Sequence, residues 1–456
     1  MSHRVRVIRP VLALSAGVLA AVTISFPALA VPAASPGLAA ATSVAAPATS
    51  VAATAIAYPA WASATRYTGL AFDTCTAPPL AAMRAWLASP YRAVGVYVGG
   101  QNRTCAQPEL TSAWTRAVAD LGWRLIPIFK GRQPSCGARP SDLKIVPSAA
   151  TAEGTWAADN AADQVRALGM FRGGVIYYDM EHYDTADLAC GTAVLTFLSA
   201  WTRELHRLGY LAGVYENLNL GARALAGVYG SAAYARPDAL WIARYDQNPA
   251  LTGWSGIGDS LWAVQQRAKQ YRGDFTATYG GVTLRIDADN WDAPVATTAF
   301  SYRATALVRA RTGPGPSFAL VKVYPKGASV SAVCQTPGAV VRTTTVWDKL
   351  NNGSYVTDYY LDTPSRTGYS PPLTRCLYPY QTTAGDGLNE RSGPGASFPV
   401  TGVIPAGGLA WMFCQSAGPV VGATRVWDKI DDRHWVSDNW VATPSRTGFS
   451  KPVPRC

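Results

Sequence analysis

The sequence predicts an irregular TIM-type α/β barrel followed by two small all-β barrels. Three observations carry that expectation. Between residues 66 and 298, apolar strand-like runs alternate with helix-like runs. Three of the helical runs end alike, in "LGW" (121–123), "LGM" (168–170) and "LGY" (208–210). The C-terminal third is duplicated at a constant offset of 80 residues, which pairs "RTGPGPSF" (311–318) with "RSGPGASF" (391–398) and "VWDKL" (346–350) with "VWDKI" (426–430).

The elements follow in chain order. Arg4, Arg6 and Arg9 precede the apolar run "VLALSAGVLAAVTISF" (11–26) and the small-residue triplet "ALA" (28–30). That is the layout of a secretory signal peptide over 1–30. The apolar run is a little short for a spanning helix, so no stable membrane insertion is expected. Residues 31–64 are almost uncharged Ala, Ser, Thr, Pro and Val, the composition of a linker. From there, "YTGLAFDTC" (67–75), "AVGVYVGG" (93–100), "WRLIPIFKG" (123–131), "GGVIYYDME" (173–181) and "YLAGVYEN" (210–217) read as strands. So do "ALWIARYD" (239–246), "SLWAVQQ" (260–266) and "VTLRIDADNWD" (282–292). Helices are expected over 78–88, 109–122, an Ala-rich stretch ending at Gly169, and 193–208. A glycine at the helix C-terminus before an apolar strand is the expected αβ join, and repeated βα units imply parallel strands. Eight strands fit one barrel over 65–298. Gly-rich, polar connections at 247–259 and 267–281 make its final third irregular. A doubly wound open sheet competes, but no GxGxxG follows any strand.

The repeat divides the rest into modules at 299–378 and 379–456. Both are rich in Gly, Pro and short β-branched runs, as small β barrels are. Trp347, Trp427, Tyr355 and Trp435 are either groove-lining or core residues.

Chemistry concentrates in the acids. Asp73, Asp179 with Glu181, Asp246, and Asp287 with Asp289 fall at predicted strand ends. Active sites of such barrels lie at the C-terminal ends of the strands. Residues i and i+2 of a strand share a face, so Asp179 and Glu181 point together, as do Asp287 and Asp289. Buried carboxylates are costly unless paired or used. Two carboxyls flanking a bond are the working parts of a glycosidase, one protonated as acid and the other ionised. Tyr97, Tyr178, Tyr215 and Trp241 stand nearby as candidate sugar-stacking residues, with Trp262 and Trp291.

The formal charge of +11 suits an acidic polymer or serves solubility alone. Eight cysteines without a CxxC pair argue against zinc and for four disulfides in an oxidising compartment. Cys334 and Cys376 map onto Cys414 and Cys456, giving one bridge inside each module. Cys75, Cys105, Cys136 and Cys190 follow predicted strand ends, and neighbouring strands suggest Cys75–Cys105 and Cys136–Cys190. Neither HExxH nor GxSxG occurs, so a zinc peptidase and an α/β-hydrolase are disfavoured. No metal and no cofactor is expected.

The motifs "FDTC", "YYDMEHYD", "LWIARYD", "LWAVQQ" and "RIDADNWD" resemble the strand ends of the family-25 glycoside hydrolases, the secreted N-acetylmuramidases. The stretch 66–295 more closely resembles a secreted actinobacterial glycoside-hydrolase-like family (DUF1906). The "RSGPG", "VWDK" and "WVSDNWV" motifs of the two modules resemble bacterial SH3-like domains, which usually bind peptidoglycan. By the muramidase resemblance Glu181 is the general acid and Asp179 stabilises the intermediate. Asp73, Asp287 and Asp289 hold substrate or tune the pair, and Gln265 matches a polar position on the seventh strand. The resemblance implies a secreted, monomeric protein that acts on peptidoglycan or another cell-wall polysaccharide. A barrel that binds glycan without turnover is the alternative. A nucleic-acid partner fits the net charge alone, and no arginine stripe interleaved with aromatics supports it.

Overall fold

Residues 65–137 and 139–456 are described in a computed structural model. The predicted signal peptide and linker lie outside the described residues. Eight strands close the barrel: β1 (Thr65–Asp73), β2 (Ala93–Gly99), β3 (Arg124–Phe129), β4 (Val175–Asp179), β5 (Leu211–Asn217), β6 (Ala239–Ala243), β7 (Arg267–Tyr279) and β8 (Val282–Val295). Helices α1 (Leu80–Ala85), α2 (Ser112–Asp120), α3 (Ala150–Ala167), α4 (Leu188–Leu208) and α5 (Gly221–Gly227) lie between them. Thr111 caps α2 and Asp187 caps α4 through their side-chain oxygens. Gly122, Gly169 and Gly209 all take positive φ, so the three Leu-Gly joins are left-handed turns from helix to strand.

The strands from β1 through β7 pair in parallel. β8 departs from the expected all-parallel barrel. It runs antiparallel to β7 and to β1. The cause is the Gly280–Gly281 pair, with φ of 57° and 78°, which closes a two-residue hairpin between Tyr279 and Val282. The expected strand at 260–266 is also corrected. Trp262 and Gln265 have positive φ, which breaks an extended run, and the strand starts at Arg267. The buried Trp262 donates its Nε1–H to the Pro237 carbonyl at 2.8 Å.

Alternation sorts the barrel residues into two layers. Inward positions such as Ala71, Ile128, Tyr177, Trp241 and Trp291 form one cluster. Outward positions such as Phe72, Val94, Tyr178 and Val214 pack under the helices in another. The interior is filled, as this architecture requires. A Cβ on Gly213 of β5 would come within 2.2 Å of the Tyr177 ring.

The inner cluster continues out of the barrel base into the second module. Leu377, at the end of the first module, and Leu409, Trp411, Phe413 and Cys414 of the second pack with the inward barrel residues. Trp411 donates its Nε1–H to the Val264 carbonyl at 3.1 Å, and Arg236 reaches the Gly407 carbonyl at 2.6 Å. The first module packs against α2 through Ala119. Arg375 pairs with Asp432 between the modules. Four disulfides join Cys75 to Cys105, Cys136 to Cys190, Cys334 to Cys376 and Cys414 to Cys456, the pairing expected from the sequence. Trp347, Trp427 and Tyr355 are buried, and Trp435 is half-buried. The first three are therefore core residues rather than an open groove.

The duplication extends to a buried acid pair. In the first module Gln335 Nε2 donates to Asp348 and Asp358 at 2.9 and 3.0 Å, and Thr363 donates to Asp358 at 2.8 Å. Gln415, Asp428, Asp438 and Thr443 repeat it at 2.8, 3.1 and 2.8 Å. Burial pushes both members of each pair up, helped at Asp348 and Asp428 by the partner carboxyl. Asp438 reaches about 6. Raised values in the fold mean stability that is complete below the unfolded value, about 4, and lost as pH rises through the folded ones. The melting temperature of the full chain is therefore expected to fall as pH rises from about 4 through about 6, the value of Asp438. Asp428→Asn should flatten that slope, which scanning calorimetry across the range would read.

Candidate active site

The inward phase of each strand carries chemistry to one end of the barrel. Asp73 continues Ala71 on β1, Tyr97 lies inward on β2, and Asp179 continues Tyr177 on β4. Lys130 extends the phase of Ile126 and Ile128 just past β3. On β8, Asp287 and Asp289 sit in the middle of the strand, opposite Asp73 and Ala71. They reach the mouth because β8 runs backwards, not because they end a strand.

Asp179 and Glu181 are brought together, with a partner the sequence reading did not single out. Lys130 Nζ lies 3.2 Å from Asp179 Oδ2 and also bonds Glu181 Oε1. Lys130 and Asp179 are buried, whereas the Glu181 side chain is 36% exposed. Gln133 fixes the turn after β4: its Nε2 donates to the Asp179 carbonyl at 2.8 Å, and its Oε1 accepts from the Glu181 backbone N–H at 2.9 Å. Burial raises Asp179 to about 6, with Lys130 pulling it down and Glu181 pushing it up. Burial would lower Lys130, but Asp179 and Glu181 outweigh it and hold the ammonium raised.

A second carboxyl group of residues lies beside the first. Asp73 accepts from Gln270 Nε2 at 2.6 Å. Gln270 Oε1 accepts in turn from Tyr215 and Tyr245 at 2.8 and 2.9 Å. Asp289 is buried and accepts from Trp241 Nε1 at 3.0 Å. Burial raises Asp73 and Asp289, each further raised by neighbouring carboxyls. Asp287 accepts the Asp274 backbone N–H and, with Asp73, Tyr97, Lys130, Glu181 and Tyr245, lines a cleft of about 890 Å³. The Cys75–Cys105 bridge forms part of the same wall.

Trp262 and Trp291, expected among the sugar-stacking residues, are fully buried, and three further expected site residues are placed elsewhere. Tyr178 faces outward, one residue out of phase with Asp179; it packs on Phe197 and Trp201 and donates to the Arg132 carbonyl at 2.7 Å. Trp241 is 2% exposed, so it cannot stack on a sugar and instead holds Asp289. Gln265 precedes β7 at the barrel base, beside the Val264–Trp411 contact. Gln270, five residues on, is the amide that reaches the carboxyls. Among the aromatics, Tyr97, Tyr215 and Tyr245 line the mouth. Lys130 could have been found by extending the inward phase of Ile126 and Ile128 past the end of β3 and by counting a positive charge among acids.

Residues 84–291 match the family model of the Rv2525c-like, glycoside hydrolase-like domain. The uncharacterized protein YraJ of Bacillus subtilis (strain 168) is 34% identical over 92 residues, which span 18% of this chain and 78% of that protein. An uncharacterized B. stearothermophilus protein of known structure is 17% identical, with a TM-score of 0.34 over 49% of this chain and 99% of that one. The muramidase of Acremonium alcalophilum is 14% identical, with a TM-score of 0.30 over 49% of this chain and 92% of that one.

Proposed function

We propose, for a chain whose residues 84–291 belong to the Rv2525c-like, glycoside hydrolase-like domain family, a secreted glycoside hydrolase that cleaves cell-wall glycan in the manner of a muramidase. The observation that carries this reading is the Asp179–Glu181 pair at the barrel mouth, one carboxyl buried and the other half-exposed toward a polymer-sized cleft. Once released from Lys130 and protonated from solvent, the half-exposed Glu181 can meet a glycosidic oxygen and give it that proton as the C–O bond breaks. Asp179 stays ionised beneath the sugar and stabilises the positive charge that develops at the anomeric carbon, directly or by orienting the sugar's own N-acetyl group. Water then adds to that carbon, and its proton returns to Glu181. Asp73 and Asp287, with Tyr97 and Tyr215, hold the chain in the cleft, and the buried Asp289 supports Asp73 from beneath. The C-terminal modules present this cleft to the wall as SH3-like binding units. A second contact of that kind would raise the residence of the enzyme on a polymeric substrate.

The ion pairing of Glu181 with Lys130 favours a second reading, a barrel that holds wall glycan without turnover. Incubating the secreted protein with purified bacterial cell wall separates the two. Mass spectrometry of the supernatant should find muropeptide fragments with new reducing termini. Protein that pellets with the wall and releases no fragment would favour the binding reading.

A further inference from the structure

Asp73, Asp179, Glu181 and Asp287 crowd the mouth, and one buried cation meets two of them. Lys130 is the one Lys or Arg among the described residues within ion-pair distance of Asp179 or Glu181. Its two bonds differ in setting. Asp179 is buried and sits on a rigid strand, whereas Glu181 lies past the strand end and is half-exposed. The bond to Glu181 is therefore the one that a bound sugar can replace.

We propose that Lys130 is the positioning residue of this pair: its buried ammonium keeps Asp179 ionised beneath the substrate and holds Glu181 only until a glycosidic oxygen takes its place. This rests on the glycosidase reading for its catalytic meaning, but its electrostatic content belongs to the free protein. An unpaired carboxylate this deeply buried would take up a proton. A protonated Asp179 could not stabilise positive charge on the sugar ring.

The surroundings leave the task to Lys130. Tyr97 of β2 lies beside Asp179, and burial with the nearby carboxylates holds the phenol protonated. Asp73 of β1, Asp287 of β8 and Glu216 of β5 add acidic groups rather than cations. Around Glu181, Arg244 is committed to Asp246 at 2.9 Å. Arg103, bonded to the Tyr97 carbonyl at 3.4 Å, and Arg139 belong to the cleft wall. His182 and Tyr245 line the adjoining pocket.

Two readouts test the proposal. Carbon NMR of the side-chain carboxyls, with Asp179 identified by its absence in Asp179→Asn, follows its titration in the free protein. Lys130→Met should move the Asp179 midpoint upward by about one to three pH units, since an opposite charge at this range has been removed. Lys130→Arg should restore it, and Glu181→Gln, which removes a like charge, should move it downward. In wall hydrolysis, the acidic limb of the pH profile should rise in Lys130→Met and return in Lys130→Arg, so that Lys130→Met loses about tenfold or more at pH ~6 and recovers at higher pH. An Asp179 midpoint unchanged in Lys130→Met would overturn the proposal, as would equal loss at every pH. Should Lys130→Met not fold, Lys130→Gln carries the same test. If no variant releases glycan while the midpoints move as stated, the role of Lys130 stands and the glycosidase reading fails on its own.

Discussion

Trp411→Ala is expected to destabilise the whole chain, not only the module that carries it. Trp411 is 2% exposed and shares one apolar cluster with the inward residues of the barrel. Its indole N–H is bonded across the junction to the Val264 carbonyl. Truncating a buried tryptophan costs about 3–5 kcal/mol through lost transfer energy and the cavity left behind. Part of that loss falls on the barrel base. Guanidinium denaturation should therefore show barrel and module unfolding together in the parent protein. In the variant the transition should come earlier, with barrel tryptophan fluorescence changing at lower denaturant. Unaltered barrel unfolding would mean that the module merely hangs from the chain. Removal of 379–456 should be worse, because Leu377 and the base of the barrel would face water.

Asp179→Asn should lower the rate of wall hydrolysis by about 10²–10³-fold, the usual loss when one preorganised stabilising group is removed. The amide keeps the size of the carboxylate and can still accept from Lys130, so the fold and the affinity for wall should be kept. Initial rates on suspended wall, with pelleting of the same protein as the binding control, would read both. A fall in binding with no fall in turnover per bound enzyme would assign Asp179 to substrate holding instead.

The barrel was legible because its βα units repeat and because each inward position recurs every second residue. Ala71 to Asp73 and Tyr177 to Asp179 are continuous phases. The same rule excludes Tyr178, which the sequence reading placed in the site by proximity alone. The direction of β8 was less legible. Gly280–Gly281 is a hairpin signal, and Phe275, Ala277 and Tyr279 alternate with polar residues before it, but the Arg272, Gly273 and Asp274 that precede them make the arm read as a loop. The apolar "LWAV" run drew the strand to the wrong place, and with it Gln265 rather than Gln270. Lys130 was hidden for another reason. A lysine after a core strand reads as a solvated end until the fold brings Asp179 and Glu181 to it, 49 and 51 residues away. Docking of the second module left no periodic trace, since Trp411 lies in an ordinary apolar strand.

The central claim is that Glu181 cleaves cell-wall glycan, and the release of reducing ends from purified wall tests it most directly. The parent protein should release them at a steady rate. Glu181→Gln, folded and still pelleting with the wall, should release none above background. Equal release by both proteins would contradict the assignment of Glu181, and release by neither would leave a wall-binding barrel in place of an enzyme.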